Sequence, residues 1–220
     1  MAILLIRHGE TAGNRNRIVQ VPETPLSPRG LEQAAQLGRR LAGAPIAAIW
    51  TSHLLRAHQT ALAIEQTTRA PLAIDPDLEE RNFGTLRGTP YAELEVDPFV
   101  PFYDPPGGEG WNAFHDRVDR TWEKIERHWY DRFEGRGAEV DFAVVSHGLF
   151  LRSLLERRLL SPDELERLGD GEGRIEIANT SLTRVVPART PGARHTIELL
   201  ACTAHLEADA ATPAPKNGQI

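Results

Sequence analysis

Cysteine is nearly absent from this chain. Cys202 is the single cysteine among 220 residues, which excludes an internal disulfide framework and a metal site built from CxxC pairs. Such sparse use of cysteine fits a reducing compartment. We therefore expect a cytoplasmic location.

Long hydrophobic runs and a basic excess are also missing. The first apolar run, at positions 2–6, is too short for a signal peptide and has no basic region before it, and no stretch is long and apolar enough to span a bilayer. Lys and Arg number 25 against 31 Asp and Glu, a formal net charge of -6, whereas nucleic-acid-binding proteins normally carry a basic surface. These absences predict no membrane and no nucleic-acid partner. An anionic small substrate stays open, because a local cluster of Arg and His can dominate one pocket of an acidic protein.

What the chain does contain is a regular alternation of short apolar runs with amphipathic segments. Strands are predicted at 2–6, 45–52, 71–75 and 141–148, with two late strands at 179–186 and 195–202 joined as a hairpin. Helices are predicted at 28–43, 55–66, 111–133 and 149–160, and Ser161-Pro162 begins a shorter one. The alternation predicts an α/β fold, a three-layer αβα sandwich with a mostly parallel central sheet. The length fits a single domain over 1–206, with an irregular segment at about 89–110 and a frayed tail at 207–220.

Three predicted strands end in polar residues. The first ends at Arg7-His8-Gly9, the second at Thr51-Ser52-His53 with Arg56 just behind, and the third at Ser146-His147-Gly148. Ligands of open α/β sheets bind at the carboxyl ends of the strands. If these strands are parallel neighbours, Arg7, His8, Arg56 and His147 share one edge, close to helix N-termini that favour anions. Together they predict a phosphate site.

The chain is identified by five motifs, in order, as a member of the histidine phosphatase superfamily, also called the phosphoglycerate mutase-like family. The segments that resemble the family's motifs are LLIRHGETAGN, TPLSPRGLEQA, TSHLLRAHQTA, LEERNFGTLRG and VVSHG, supported by PPGGEG and the closing CTAHL. The resemblance implies that His8 attacks a phosphomonoester and becomes a phosphohistidine. It also implies that Arg7, Arg56 and His147 bind the phosphoryl oxygens, with Gly148 beside them, and that neither a metal nor another cofactor is needed.

The leaving group needs a proton donor. The resemblance assigns this role to Glu80, while its neighbour Glu79 lies one residue out of register and is the alternative. Glu80 would then act as the base on the water that hydrolyses the phosphohistidine. Asn14 and Gln20 resemble the family's secondary phosphate and substrate contacts, and they can equally be ordinary loop residues.

The remaining histidines and the tryptophans receive structural interpretations. His53 is expected to line the pocket or cap a turn, whereas His58, His115 and His128 are expected to face solvent from helices. No partner can be named for His195 and His205. Packing in the core or along a groove is expected for Trp111, Trp122 and Trp129.

Departures from the mutase pattern favour a phosphatase. The segment 89–110 is acidic and aromatic and contains no Arg or Lys, whereas mutases of the family grip a carboxylate there with basic residues. Val21 stands where mutases have Gly, Pro22-Glu23 departs further, and 149–151 is apolar.

We expect a metal-independent phosphatase acting on a small phosphorylated metabolite. A cofactor-dependent phosphoglycerate mutase and a non-catalytic phosphate-ligand-binding module are the alternatives, and homodimer formation stays open.

Two interpretations are open for the aromatic residues in and around 89–110. They can form an apolar wall or lid suited to a partly apolar leaving group, or they can simply pack on the sheet. The residues concerned are Phe83, Tyr91, Phe99, Phe102 and Tyr103.

Overall fold

A six-stranded sheet runs through the computed structural model, which describes residues 1–133, 140–190 and 193–207. The strands are β1 (Ile3–Arg7), β2 (Ile46–Thr51), β3 (Leu72–Ile74), β4 (Asp141–Ser146), β5 (Leu182–Val186) and β6 (Thr196–Cys202), in the spatial order β3-β2-β4-β1-β5-β6. Strand β4 pairs in parallel with both β1 and β2, and β2 pairs in parallel with β3. The three strands with polar ends are thus parallel neighbours, as the site prediction required.

The two late strands form the antiparallel part of the sheet. Strand β5 pairs antiparallel with β1, and β6 pairs antiparallel with β5. The mostly parallel sheet and the late pair of strands are confirmed, while positions 191 and 192 of the predicted hairpin lie outside the described residues.

Strand β1 is apolar throughout because both faces of the sheet are covered. Ile3 and Leu5 pack into a core with Phe114 and Phe150, whereas Leu4 and Ile6 pack into a second core on the other face. Successive side chains of a strand point to opposite faces, so one apolar run serves two helical layers. This confirms the three-layer αβα sandwich.

The helical layers begin where the sequence signals predict. The helices are α1 (Ala12–Asn16), α2 (Pro28–Leu41), α3 (Leu55–Thr68), α4 (Trp111–Arg132), α5 (Gly148–Leu154) and α6 (Pro162–Leu168). Ser27 Oγ accepts a hydrogen bond of 3.0 Å from Gly30 N at the start of α2, and Ser161 forms a capping box with Glu164 at the start of α6. Each hydroxyl satisfies a backbone donor that the helix itself leaves free.

The predicted helix at 149–160 is wrong in one respect. The α-helix ends at Leu154 and continues as a π-helical turn over Leu155–Leu159, where Leu160 N donates to Leu155 O at 2.9 Å. Such wider turns occur often beside functional sites. This one directly follows the residues of α5 that face the cleft described below.

The segment between β3 and α4 is irregular but tightly held. It contains short 3₁₀ turns at Pro76–Leu78, Gly84–Leu86 and Tyr91–Glu93. The Arg81 side chain, 1% exposed, donates to the carbonyl oxygens of Pro98, Tyr103 and Glu109. Its guanidinium also lies 3.9 Å from the centre of the Trp111 ring. One buried side chain therefore fixes much of the segment 98–111.

Two further findings concern the chain as a whole. Within the described ranges, no helix combines the length and the apolar character needed to cross a membrane. Of the predicted tail, Glu207 follows the 3₁₀ turn Ala204–Leu206, and 208–220 lie outside the described residues.

Candidate active site

A cleft of about 750 Å³ opens at the carboxyl ends of β1, β2 and β4. It has the size of a small-molecule site. Most of the residues predicted for the site line it, namely Arg7, His8, Asn14, Gln20, Arg56, Glu80 and Gly148. His147 is absent from the lining, and its ring centre lies 5.1 Å from that of His8.

His8 is a buried, neutral imidazole with one nitrogen left for chemistry. Its Nδ1 lies 2.7 Å from Gly9 O, so we assign the ring proton to Nδ1 and leave Nε2 as the free nucleophile. Burial, and then the positive charges of Arg56 and Arg7, hold the pKa of His8 well below its usual value. Gly9 is required at this turn because a Cβ there would lie 2.6 Å from Gly30 O.

Two guanidinium groups flank His8, and each keeps a donor free. Arg7 donates through Nη1 to Ile177 O, and Arg56 donates through Nη1 to Val21 O at 3.2 Å. The Nε atoms of both arginines are buried without a hydrogen-bond partner in the described part of the chain. Burial lowers the pKa of Arg56 to about 10, so it stays charged at neutral pH. Buried, charged donors without partners favour an anion strongly.

His147 offers a further donor through a hydrogen bond with Ser52. Ser52 Oγ accepts from Leu54 N at 3.2 Å and lies 2.9 Å from His147 Nε2. We assign the ring proton of His147 to Nδ1, so that Nε2 accepts from the Ser52 hydroxyl. Nδ1 is buried without a partner in the described residues. Burial and the charge of Arg56 lower the pKa of His147 well below its usual value, so this ring is neutral too.

Glu80 is anchored at the start of α5. Its carboxylate accepts from Leu149 N at 3.0 Å, from Phe150 N at 3.2 Å and from Arg81 N at 3.0 Å. The sequence analysis expected helix N-termini to favour the phosphate, and at α5 Glu80 takes two of these N–H groups, those of Leu149 and Phe150. Glu79 instead lies 3.8 Å from His53, so the structure separates the two acids.

Asn14 and Gln20 are held in the cleft by a residue that sequence reasoning passed over. Thr11 Oγ1, fully buried, lies 3.0 Å from Asn14 Oδ1 and 2.8 Å from Gln20 Oε1. Since the amide oxygens face Thr11, the amide nitrogens remain as donors for a ligand. Neither is merely an exposed loop residue.

Aromatic residues form a fixed wall along the cleft. Phe99 meets Phe83 and Tyr91 edge to face, at 5.8 and 5.6 Å between ring centres. These three residues line the cleft together with Trp111, whereas Phe102 is 91% exposed and lies outside the lining, as does Tyr103. The prediction of an aromatic wall is confirmed for Phe83, Tyr91 and Phe99, whereas packing of these rings on the sheet stays a prediction.

Several predictions about the other histidines are wrong. His115 lines the cleft and contacts Trp111, with 5.4 Å between ring centres, and His128 contacts Trp50 at 4.4 Å, so neither simply faces solvent. His58 is half-buried. His53 does not line the cleft. Helical position alone did not reveal that the aromatic neighbours of these rings come from distant segments.

His195 and His205 do have partners. His195 Nε2 lies 2.9 Å from Glu126 Oε1, and Arg40 Nη1 lies 3.1 Å from His205 Nδ1. Trp122 and Trp129 belong to the core, as predicted. The partners of His195 and His205 lie far from them in the sequence, so the sequence alone did not indicate them.

Sequence reasoning gave no role to several other residues of the site. Asn179 Nδ2 donates to His8 O at 3.0 Å, and Thr60 Oγ1 accepts from Gly9 N at 3.1 Å. Arg87 and Arg152 add cations to the cleft from two distant segments of the chain. Arg87 could have been singled out, because it replaces the second Glu of the family's L.E...G..EG motif.

A family model described as "Histidine phosphatase superfamily (branch 1)" matches residues 3–199. A metal-independent phosphoserine phosphatase of Arabidopsis thaliana is 36% identical over 169 residues, which cover 70% of this chain and 67% of the relative. A probable phosphoglycerate mutase of Yersinia enterocolitica is 30% identical over 211 residues, which cover 94% and 95%. A fructose-2,6-bisphosphatase of Xenopus laevis is 37% identical over 119 residues, and that match covers 49% of this chain and only 43% of the relative's length.

The fold is shared with solved structures. The α-ribazole phosphatase of Shigella flexneri superimposes with a TM-score of 0.72 at 26% sequence identity, covering 92% of this chain and 97% of that structure. The shared architecture thus extends over nearly the whole of both chains.

Proposed function

Because this chain belongs to the histidine phosphatase superfamily (branch 1), we propose that it hydrolyses a small phosphomonoester, without a metal ion, through a phosphohistidine on His8. The observation that carries the proposal is the neutral imidazole of His8 beside buried arginine nitrogens that lack partners. A nucleophile without charge and donors without acceptors both fit a phosphoryl group.

In the first step, His8 Nε2 attacks phosphorus and the bond to the ester oxygen breaks. Glu80, when protonated, gives its proton to the leaving alkoxide. Arg7, Arg56 and the Nδ1–H of His147 donate to the equatorial oxygens, where charge is spread in the transition state. The products of this step are the free alcohol and phospho-His8.

In the second step, water attacks the phosphohistidine. Glu80, now ionised, takes a proton from the water, the phosphorus–nitrogen bond breaks, and inorganic phosphate leaves. The N–H groups of Leu149 and Phe150 keep the carboxylate in position throughout the cycle. His8 returns to its starting tautomer through its contact with Gly9 O.

A phosphoglycerate mutase is the second candidate, and the Yersinia relative favours it. A mutase must keep water from the phosphohistidine and return the phosphoryl group to a second hydroxyl. Against it stand the absence of Lys and Arg in 89–110 and the substitution of Val21 for glycine. A non-catalytic binding module is disfavoured because both His8 and Glu80 are present.

The deciding experiment supplies 3-phosphoglycerate with and without 2,3-bisphosphoglycerate, in EDTA, and measures free phosphate and 2-phosphoglycerate. A phosphatase releases phosphate in both mixtures, and p-nitrophenyl phosphate should be hydrolysed too. Rapid 2-phosphoglycerate formation without free phosphate would make the protein a mutase. Tight phosphate binding without turnover of any monoester would make it a binding module.

The natural substrate, by this proposal, is a small phosphorylated metabolite. Phosphatase relatives named for phosphoserine and fructose 2,6-bisphosphate support this class. Action in the cytoplasm and assembly into a homodimer stay predictions, testable by fractionation and by light scattering.

A further inference from the structure

The cleft extends past the phosphate site along α5, and there it contains an unpaired cation. Three arginines line this end: Arg152, Arg157 and Arg174. Arg157 is paired with Asp119 at 2.8 Å and Arg174 with Glu172 at 2.7 Å. Arg152 has no carboxylate within ion-pair distance among the described residues, and its Nη atoms make no hydrogen bond there.

Arg152 is positioned next to Arg7 by a shared segment of backbone. Arg152 Nε donates to Ile175 O at 3.2 Å, and Arg7 Nη1 donates to Ile177 O. Ile175 and Ile177 are buried while Glu176 between them is exposed, the alternation of an extended chain. In such a chain, carbonyl groups two residues apart lie on one side, about 7 Å from each other. Arg7 and Arg152 are therefore anchored at neighbouring carbonyl groups of one segment that borders the cleft.

The charges are close enough to act on each other. Burial lowers the pKa of Arg7, Glu80 raises it, and the positive charge of Arg152 lowers it again. Two neighbouring cations with free donors are stabilised when an anion lies between or beside them.

Ser153, beside Arg152, supplies an independent sign of a ligand. It is 7% exposed and lines the cleft, and its Oγ has no hydrogen-bond partner in the described part of the protein. A serine within a helix usually donates to the carbonyl four residues earlier, here that of Leu149, and this bond is not made. A buried hydroxyl without a partner is unfavourable, and a ligand oxygen would satisfy it.

Glu156 limits how much negative charge this end can take. It lies one turn further along, with Oε1 accepting from Ile175 N at 3.2 Å. Because the carboxylate of Glu156 adds negative charge beside the one free arginine, this end suits a single small anion rather than an extended polyanion.

From these contacts we propose that the leaving group of the substrate carries an anionic group of its own, a carboxylate or a second phosphate, bound by Arg152 and Ser153 beside the reacting phosphate. The inference rests on the proposed phosphatase function. It narrows the substrate to monoesters in which a short carbon chain separates two anions. Neutral alcohol phosphates lack the second anion and are disfavoured.

Matched substrate pairs test the inference. 3-Phosphoglycerate and glycerol 3-phosphate differ by a carboxylate in place of CH₂OH, and 1,3-propanediol bisphosphate and monophosphate differ by the second phosphate. The ratio of kcat/KM within each pair reports the second anion alone. The wild type should prefer the anionic member of at least one pair, and the pair that shows the preference identifies the anion.

Three variants locate the effect. Arg152→Ala should lower the preferred ratio about tenfold or more, the loss expected for a hydrogen-bonded charge, and Ser153→Ala about fivefold. Arg158→Ala, in the π-helical turn that follows α5 and outside the cleft lining, is the matched control and should leave the ratio unchanged. Because each variant is compared with itself on two substrates, partial loss of folded protein cancels from the ratio.

The outcomes distinguish failure of the second-anion site from failure of the proposed phosphatase function. Hydrolysis of p-nitrophenyl phosphate by the wild type, with a ratio unaffected by Arg152→Ala, overturns the second-anion site and leaves the phosphatase intact. The same holds if Arg87→Ala, at another residue that lines the cleft, changes the ratio and Arg152→Ala does not. If the wild type hydrolyses no monoester at all, the phosphatase proposal fails and this inference fails with it.

Discussion

At the scale of single residues, the site depends on protons whose positions are fixed by neighbours. Gly9 O fixes the tautomer of His8, and Ser52 fixes that of His147. One ring thereby presents a bare nitrogen and the other an N–H. The same residue type thus serves as nucleophile and as donor, because the surroundings differ.

Ser52→Ala tests the orientation of His147. Without the hydroxyl, the imidazole loses its hydrogen bond and the preference for the Nδ1–H tautomer, so kcat should fall about 5- to 50-fold, the range for one hydrogen bond felt in the transition state. Steady-state kinetics with p-nitrophenyl phosphate measure it. Ser161→Ala, which removes a hydroxyl from the N-cap of α6, is the control and should leave kcat unchanged. A normal kcat in Ser52→Ala would show that this contact does not position His147.

Glu80→Gln tests the proton donor. The amide keeps the size of the side chain but cannot protonate an alkoxide, so esters with poor leaving groups should slow about 100-fold or more, whereas p-nitrophenyl phosphate, whose leaving group needs no proton, should slow much less in the first step. Glu79→Gln is the neighbouring control. Equal losses for all esters in pre-steady-state release of the alcohol would point to another acid.

At the scale of elements, the sheet and helices follow from local sequence, and the cleft walls do not. The apolar run of β1 and the Ser-Pro starts of α2 and α6 depend on neighbours in the chain, so they were predictable. The strand ends at Arg7 and Ser146 were predictable for the same reason. Contacts such as Thr11 with Gln20, or Arg152 with Ile175, join segments whose approach depends on the whole fold.

The segment 89–110 illustrates the limit. Its lack of Lys and Arg argued against the basic grip on a carboxylate that mutases of the family have there. The structure adds Arg87, Arg152, Arg157 and Arg174 from other parts of the chain. The composition of one segment describes only one wall of the cleft, whereas the binding site is formed by residues from several segments.

Arg81→Ala tests whether the aromatic wall is held by one side chain. Removing the guanidinium leaves the carbonyl oxygens of Pro98, Tyr103 and Glu109 without their donor, so the free energy of unfolding should fall by about 3 kcal/mol. Limited proteolysis should then cut within 89–110 faster than in the wild type. The exposed Arg120 of α4 provides the control, Arg120→Ala. Unchanged urea denaturation and unchanged cleavage in Arg81→Ala would contradict the role given to Arg81.

At the scale of the whole molecule, the buried neutral histidines make stability depend on pH. The pKa values of His8 and His147 lie well below 6.5, and burial with the charge of Arg40 lowers the pKa of His205 to about 4. Below pH 6.5 the unfolded chain binds protons at these residues while the folded protein does not. Acid therefore favours the unfolded state.

The free energy of unfolding should accordingly fall as pH drops from 7 to 5. Each of these histidines lowers the free energy of unfolding by about 1.4 kcal/mol for each pH unit of acidification, as long as the pH is below 6.5 and above the pKa of that histidine in the folded protein. Urea denaturation at several pH values in phosphate-free buffer measures the slope, and His205→Gln should reduce it. Stability that stays constant or rises between pH 6.5 and 5 would be incompatible with neutral, buried imidazoles.

The central claim is that His8 carries the phosphoryl group, and direct detection of that intermediate tests it. The protein is mixed with p-nitrophenyl phosphate, quenched under alkaline conditions that preserve phosphohistidine, and analysed by intact-mass and peptide mass spectrometry. The account predicts a single added phosphoryl group on the peptide containing His8, labile to acid and absent from His8→Ala. Turnover at the wild-type rate in His8→Ala, or a phosphoryl group on any other residue, would contradict it.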